Sequence, residues 1–262
     1  MSQQASLSQL FQSAQGDGNV SAATLQAINV ADLGAQIQQG LGIGVDQVQT
    51  SEVVLVTMMP DDSGSIRFAG HTQLVSDGHN LVLDALGTSK QKDGILAHTR
   101  YLNGAVLYPY CPLDQAVRMT SQNYNPDKGT PLYDQAAVIL ATVLAKTQEF
   151  EDSGVPCRTV TLIITDGADE HSVKQNASKI KKLVNDMLMT EKHIIAAMGI
   201  DDGRTDFRLV FKDMGIQEDW ILTPGNSQSE IRKAFQVFSQ SAVRASQNAK
   251  SFSQTAAGGF GG

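Results

Sequence analysis

The chain of 262 residues carries 20 basic and 27 acidic side chains, which gives a formal net charge of −7. Because nucleic-acid binding depends on a basic surface, this balance argues against a nucleic-acid-binding protein. With 41% hydrophobic residues, no apolar run near the roughly 20 residues of a membrane span and no signal-peptide pattern at the start, we expect a globular cytoplasmic protein with no membrane partner.

The first 50 residues differ from the rest because they are rich in Gln, Ala, Ser and Gly and nearly free of charge. Two groups of apolar residues follow the spacing of one helix face: Leu7, Leu10 and Phe11, then Leu33, Ile37 and Leu41. We therefore predict a small helical amino-terminal extension over residues 1–50 that packs on the main domain.

From residue 53, buried strands alternate with amphipathic helices. The predicted strands cover 53–58, 95–102, 105–110, 159–165, 194–200 and 220–223, and the predicted helices cover 76–86, 131–150, 172–190, 207–214 and 227–246. Asn103-Gly104 lies between two of these strands and predicts a tight hairpin, so one edge strand should be antiparallel. The alternation predicts a doubly wound α/β fold over residues 51–246, with a mostly parallel sheet and helices on both faces.

The segment 247–262 is small, polar and Gly-rich, and it ends in Gly-Gly-Phe-Gly-Gly. Such a composition favours weak order. We predict a flexible tail.

Oxygen-bearing side chains cluster in three loops that should meet at the carboxyl end of the sheet, where open α/β sheets bind ligands. The first strand leads into Asp61, Ser63 and Ser65, the fourth strand leads into Asp166, and Thr130 stands at the start of a long helix. Carboxylate and hydroxyl oxygens without thiolates suit Mg²⁺, with Mn²⁺ or Ca²⁺ as alternatives and water completing the ligand set.

Each of these strings is common when it occurs alone, but here all three occur in order. Asp61-x-Ser63-x-Ser65, then Thr130 in Gly-Thr-Pro-Leu-Tyr-Asp, then Asp166 in Ile-Thr-Asp-Gly resemble the metal-ion-dependent adhesion site of von Willebrand factor type A (vWA) domains. The resemblance covers residues 50–245 and all five metal-binding positions.

The resemblance implies a Rossmann-like, six-stranded sheet of order 3-2-1-4-5-6 with the third strand antiparallel. It also implies a non-enzymatic module in which the bound metal takes an Asp or Glu side chain of a protein partner. The compact chain is similar to intracellular prokaryotic members of the family, which implies an adaptor or a subunit associated with an AAA-type ATPase.

Two other functions stay open: a metal-assisted hydrolase, and a structural scaffold whose metal site does not function. His171 would be the candidate base of a hydrolase, although no nucleophile is paired with it, and a capping or exposed histidine is the simpler interpretation. Five further acidic residues on the same face could attract a second cation, but we interpret them as solvated loop residues: Asp62, Asp169, Glu170, Asp201 and Asp202.

Overall fold

A computed structural model describes residues 6–261, and its centre is a six-stranded sheet of order β3-β2-β1-β4-β5-β6. The strands are β1 (Val53–Met59), β2 (Ile95–Arg100), β3 (Val106–Pro112), β4 (Cys157–Thr165), β5 (His193–Gly199) and β6 (Ile221–Leu222). Among the pairs of neighbouring strands in this sheet, only β2–β3 is antiparallel. Every residue of β1 is buried, as expected for a central strand that is covered on both faces. The predicted fold class and strand order are confirmed.

Helices surround the sheet. They are α1 (Leu7–Gly16), α2 (Ala22–Ile28), α3 (Val30–Leu41), α4 (Gly64–Phe68), α5 (Thr72–Gly87), α6 (Leu132–Asp152), α7 (Ala177–Met189), α8 (Phe207–Asp213), α9 (Gln228–Ala245) and α10 (Ala249–Gly258). Helix α6 packs on β1 and β4 and against α7, while α5 packs with α9. Among the described residues, no helix is long and apolar enough to cross a bilayer.

The amino-terminal helices form a layer over α6, whose residues 135–150 are all buried. Helices α1 and α3 pack on α6, and α2 packs on α7. The Ile43 N–H, just after α3, donates to the Tyr110 carbonyl of the edge strand β3 (3.0 Å). Gly42 allows this approach, because it has φ +65° and an added Cβ would lie 2.0 Å from the Tyr110 oxygen. Residues 1–5 of the predicted extension lie outside the described residues.

The carboxyl-terminal segment differs from the flexible tail that its composition predicts. Residues 249–258 form α10, with Asn248 as the capping residue. Phe252 is buried on this helix, and the Trp220 indole N–H donates to the Ala256 carbonyl (3.3 Å). Phe260 packs edge-on against the Trp220 ring. These aromatic contacts hold the segment on the domain despite its small, polar composition; Gly262 lies outside the described residues.

Three local predictions need correction. The helix predicted over residues 172–190 begins at Ala177, with Asn176 as its capping residue. Helix α5 begins at Thr72 rather than at Ser76, whose hydroxyl donates to the Met119 carbonyl (3.0 Å) instead of capping a helix. The β2–β3 turn is longer than a two-residue hairpin, since β2 ends at Arg100 and β3 begins at Val106. Gly104 has φ +98°, but Asn103 does not adopt the positive φ of the expected turn type.

Candidate metal centre

The three predicted loops meet at the carboxyl ends of β1 and β4. These strands are adjacent and parallel, with Met59 level with Ile163, so the residues that follow them emerge side by side. Four of the five predicted side chains line one cavity of about 520 Å³: Ser63, Ser65, Thr130 and Asp166. Asp61 lies beneath them and is fully buried.

A chain of short hydrogen bonds joins four of the five residues. The Ser63 and Ser65 hydroxyl oxygens are 2.8 Å apart, and the Ser65 hydroxyl donates to the Asp166 carboxylate (2.6 Å). The Asp61 carboxylate accepts the Ser63 N–H (2.7 Å), the Thr165 hydroxyl (2.7 Å) and the Asp166 N–H (3.4 Å). The oxygen atoms from the β1 and β4 loops are therefore close enough to face one ion.

Thr130 reaches the same cavity from the other side. Its hydroxyl would lie 4.0 Å from a Cβ added at Gly167, directly after Asp166. Thr130 precedes α6 by two residues, because Pro131 occupies the position just before the first helical residue, Leu132. The Thr130 side chain is buried at the edge of the cavity.

His171 fixes the position of the Thr130 backbone. Its Nδ1 accepts the Thr130 N–H (2.9 Å), and the Thr130 carbonyl accepts the N–H groups of Glu170 (3.1 Å) and His171 (3.3 Å). The imidazole ring packs against Gly129, where an added Cβ would lie 2.8 Å from the ring. His171 therefore joins the loop after β4 to the loop before α6.

Burial dominates the electrostatics of the two candidate carboxylates. It raises the pKa of Asp61, although the hydrogen bonds from Ser63 and Thr165 act in the opposite direction. Burial also raises the pKa of Asp166 to about 6, with a further contribution from the charge of Asp61. No basic side chain among residues 6–261 forms an ion pair with either carboxylate. Two buried carboxylates thus lie at the cavity without an ion-pair partner among the described residues.

This donor set fits a hard divalent cation. Mg²⁺ is typically bound by one or two carboxylates and keeps several waters, so two aspartates and three hydroxyls are sufficient. No group of three or more His, Cys, Asp and Glu side chains that could hold a metal ion occurs within residues 6–261. A soft or fully protein-coordinated ion such as structural zinc therefore does not fit this set.

Asp62 is not the solvated loop acid that the sequence suggests. It is buried and accepts the Asn103 N–H (3.0 Å) and the Asn103 side-chain amide. Burial raises the pKa of Asp62 to about 6. Its backbone carbonyl accepts the N–H groups of Asp127 and Lys128 (both 3.1 Å). The residue ties the β2–β3 turn and the segment before Thr130 to the β1 loop.

Sequence reasoning also missed the residues that hold the ligand loops. Thr165 lies inside the Thr-Asp-Gly string, so its position next to Asp166 was a usable signal. The Tyr124 hydroxyl donates to the Asp61 carbonyl, but nothing in the local sequence around Tyr124 indicates this contact.

Comparison with known proteins supports the fold. No protein-family model and no curated protein matches the sequence. The pilus adhesin SpaC of Lactobacillus rhamnosus GG superposes with a TM-score of 0.55 and 12% identity, over 75% of this chain and 31% of the adhesin. The vWF domain of the type V pili tip protein Mfa5 of Porphyromonas gingivalis gives 0.54 and 11%, over 77% of this chain and 98% of that domain.

Proximal thread matrix protein 1 of the mussel byssus gives a TM-score of 0.50 at 15% identity, over 75% of this chain and 47% of that protein. The chain thus spans about a third of the length of the adhesin and under half of the byssus protein. At these identities the likeness concerns the fold alone. The chain has the fold of a von Willebrand factor type A domain.

Proposed function

We propose that the chain is a divalent-cation-dependent protein-binding module and not an enzyme. Mg²⁺ is the expected ion, with Mn²⁺ or Ca²⁺ as alternatives, and the residues that would hold it are Asp61, Ser63, Ser65, Thr130 and Asp166. When bound, the ion supplies a positive centre that can take an Asp or Glu side chain of a protein partner. The observation that supports the proposal most is the meeting, at one cavity, of three hydroxyls and two buried carboxylates that form no ion pair within residues 6–261.

The protein side chains around this cavity suit contact with a partner. Phe68 lines the cavity and is 83% exposed, with the Arg67 guanidinium 5.1 Å from its ring centre. Lys128 and Arg204 line the same cavity. Aromatic and arginine side chains are enriched in protein interfaces. Phe68 offers an apolar contact to a partner, and the basic side chains offer contacts to acidic groups of the partner.

The hydrolase alternative has less support. His171, which the sequence offers as a base, uses its Nδ1 to accept the Thr130 N–H. This contact makes it a structural residue of the loop. The more specific form of the proposal, an intracellular adaptor beside an AAA-type ATPase, comes from the sequence resemblance and is tested by identifying the partner.

The proposal is tested by capturing partners from a lysate of the source cells with the immobilised chain. We expect Mg²⁺ to support capture and EDTA to release the captured protein, and we expect Asp61→Asn to abolish the Mg²⁺ effect. Asp206→Asn is the control, because it removes one negative charge at the start of α8. An Asp or an Asn side chain at this position can accept the Leu209 N–H and cap the helix. Capture that is equal with EDTA would favour the scaffold function. Turnover of phosphoester substrates that depends on Mg²⁺ and Asp61 would favour the hydrolase.

A further inference from the structure

The loop that follows Asp166 is anchored at its far end by a carboxylate outside the cavity. Asp134, in the first turn of α6, accepts three consecutive backbone N–H groups. Its Oδ2 accepts from Val173 (3.0 Å), and its Oδ1 accepts from Lys174 (3.1 Å) and Gln175 (2.7 Å). Successive backbone N–H groups that converge in this way form a concave site for an anion. Here a side chain of the same protein supplies the anion.

Further bonds join the same two segments between Asp134 and the cavity. The Asp134 N–H donates to the Ser172 hydroxyl (2.9 Å), and the Tyr133 N–H donates to the Asp169 carboxylate (3.1 Å). The bond from the Thr130 N–H to His171 joins the same two segments. The start of α6 and the loop after β4 are thus joined by several hydrogen bonds along the stretch from Thr130 to Asp134.

We propose that Asp134 is a positioning residue for the candidate metal centre. By holding residues 173–175 on the start of α6, it fixes the distance between Asp166, at the beginning of the loop, and Thr130, just before the helix. Ligands that are held in place before the ion arrives bind it more tightly, and the loss of a residue that hydrogen-bonds a ligand directly typically lowers metal affinity about 10- to 100-fold. Asp134 acts one step further out, through residues 173–175. This inference rests on the proposed function, because it concerns the same site.

A purely structural role for Asp134 gives a different result. The carboxylate lies near the start of a helix, where a negative charge is favourable in any case. If that were its whole contribution, its removal would lower stability but leave the metal affinity of the folded protein unchanged. Affinity must therefore be measured at a temperature at which every variant is folded.

The experiment is a calorimetric titration of Mg²⁺ into the full chain and its variants. We expect Asp134→Ala to raise the Kd for Mg²⁺ by roughly 10-fold, the lower end of that range, because Asp134 contacts no candidate ligand directly. Asp134→Asn should recover part of the affinity, because its carbonyl oxygen still accepts backbone N–H groups. Asp152→Ala is the control at the other end of α6, where the carboxylate accepts from Ser13 and Gln148 (both 2.7 Å). It should leave the Kd unchanged.

Amide hydrogen exchange supplies a second readout that needs no metal. In Asp134→Ala, the amides of residues 173–175 should exchange faster than in the unaltered chain and in Asp152→Ala. Unchanged Mg²⁺ affinity in Asp134→Ala, with faster exchange at these amides, would show anchoring without positioning and would overturn the inference alone. Failure of the unaltered chain to bind Mg²⁺ would overturn the proposed function and, with it, the role of Asp134.

Discussion

Gly129 and Gly167 line the same cavity, but the free space around a Cβ atom added at each of them differs. A Cβ at Gly129 would lie 2.8–2.9 Å from three ring atoms of His171. Such distances are too short, so the ring must move. Within residues 6–261, and apart from its chain neighbours, a Cβ at Gly167 would have only the Thr130 hydroxyl oxygen within 4 Å, at 4.0 Å. Gly129→Ala and Gly167→Ala are therefore a matched pair, in which one change displaces His171 and the other does not.

The expected cost of Gly129→Ala follows from the bond that His171 accepts. Moving the ring breaks the contact between the Thr130 N–H and the Nδ1 of His171, which is exposed, so water can replace it, and the loss of one such hydrogen bond costs about 0.5–1.5 kcal/mol. The free energy of unfolding should fall by that amount, which corresponds to roughly 2–4 °C in Tm for each kcal/mol in a chain of this size. Gly167→Ala should change it by less than about 0.5 kcal/mol. Both variants lose the same backbone freedom in the unfolded chain, so that effect cancels.

The assay is thermal and urea unfolding of both variants, followed by Mg²⁺ titration at a temperature at which both are folded. Gly129→Ala should also bind Mg²⁺ more weakly, because Thr130 is no longer held at the cavity. Gly167→Ala should keep the affinity of the unaltered chain. Equal stability and equal affinity in the two variants would refute the role assigned to His171.

Three further predictions concern the fold. Burial lowers the pKa of His98 to about 3 from 6.5, so the folded state requires its neutral form and loses stability as pH falls below 6.5. Between pH 6 and 4, His98→Asn should therefore reduce the slope of the unfolding free energy against pH by about 1.4 kcal/mol per pH unit. An identical slope for the variant and the unaltered chain in urea titrations would contradict this. Gly42→Ala should lower the free energy of unfolding by more than the roughly 1 kcal/mol that a backbone change alone costs, because the added Cβ would collide with the Tyr110 carbonyl. Unfolding curves that match those of the unaltered chain would contradict this contact. Phe252→Ala should cost about 3–5 kcal/mol in the same assay, since the ring is 1% exposed, and a negligible loss would restore the prediction of a flexible tail.

The sheet could be predicted because its signals are local. The central strands β1, β4 and β5 consist mostly of apolar or β-branched residues, and helices of clear periodicity lie between them along the chain. The antiparallel edge strand was also predictable from Asn103-Gly104. The form of that turn was not, because the Asn103 backbone and side chain bind Asp62, which lies 41 residues earlier in the sequence.

The helix start at Thr72 and the ordered segment after Ser246 escaped prediction for a similar reason. The Ser76 hydroxyl has a backbone partner at Met119, so a residue type that usually caps a helix is used within one. The segment 249–258 has a composition typical of flexible tails, but Phe252 is buried against the domain. In both cases a tertiary contact outweighs the local preference.

The candidate ligands could be predicted from the sequence, while their supports could not. Asp61, Ser63, Ser65, Thr130 and Asp166 follow strands or precede a helix, so topology alone brings their loops together. Asp134 and His171 act on partners about 40 positions away. Neither residue stands in a pattern that local sequence rules recognise, although Asp134 belongs to the string that contains Thr130.

A Mn²⁺ titration followed by electron paramagnetic resonance tests most directly whether this cavity binds a divalent cation. The unaltered chain and Asp206→Asn should each bind one ion, and the bound signal should change when a small carboxylate such as acetate is added, because an outside acid takes a position on the ion. Asp61→Asn should lose the bound signal. Absence of Mn²⁺ binding in the unaltered chain, or equal binding by Asp61→Asn, would contradict the account.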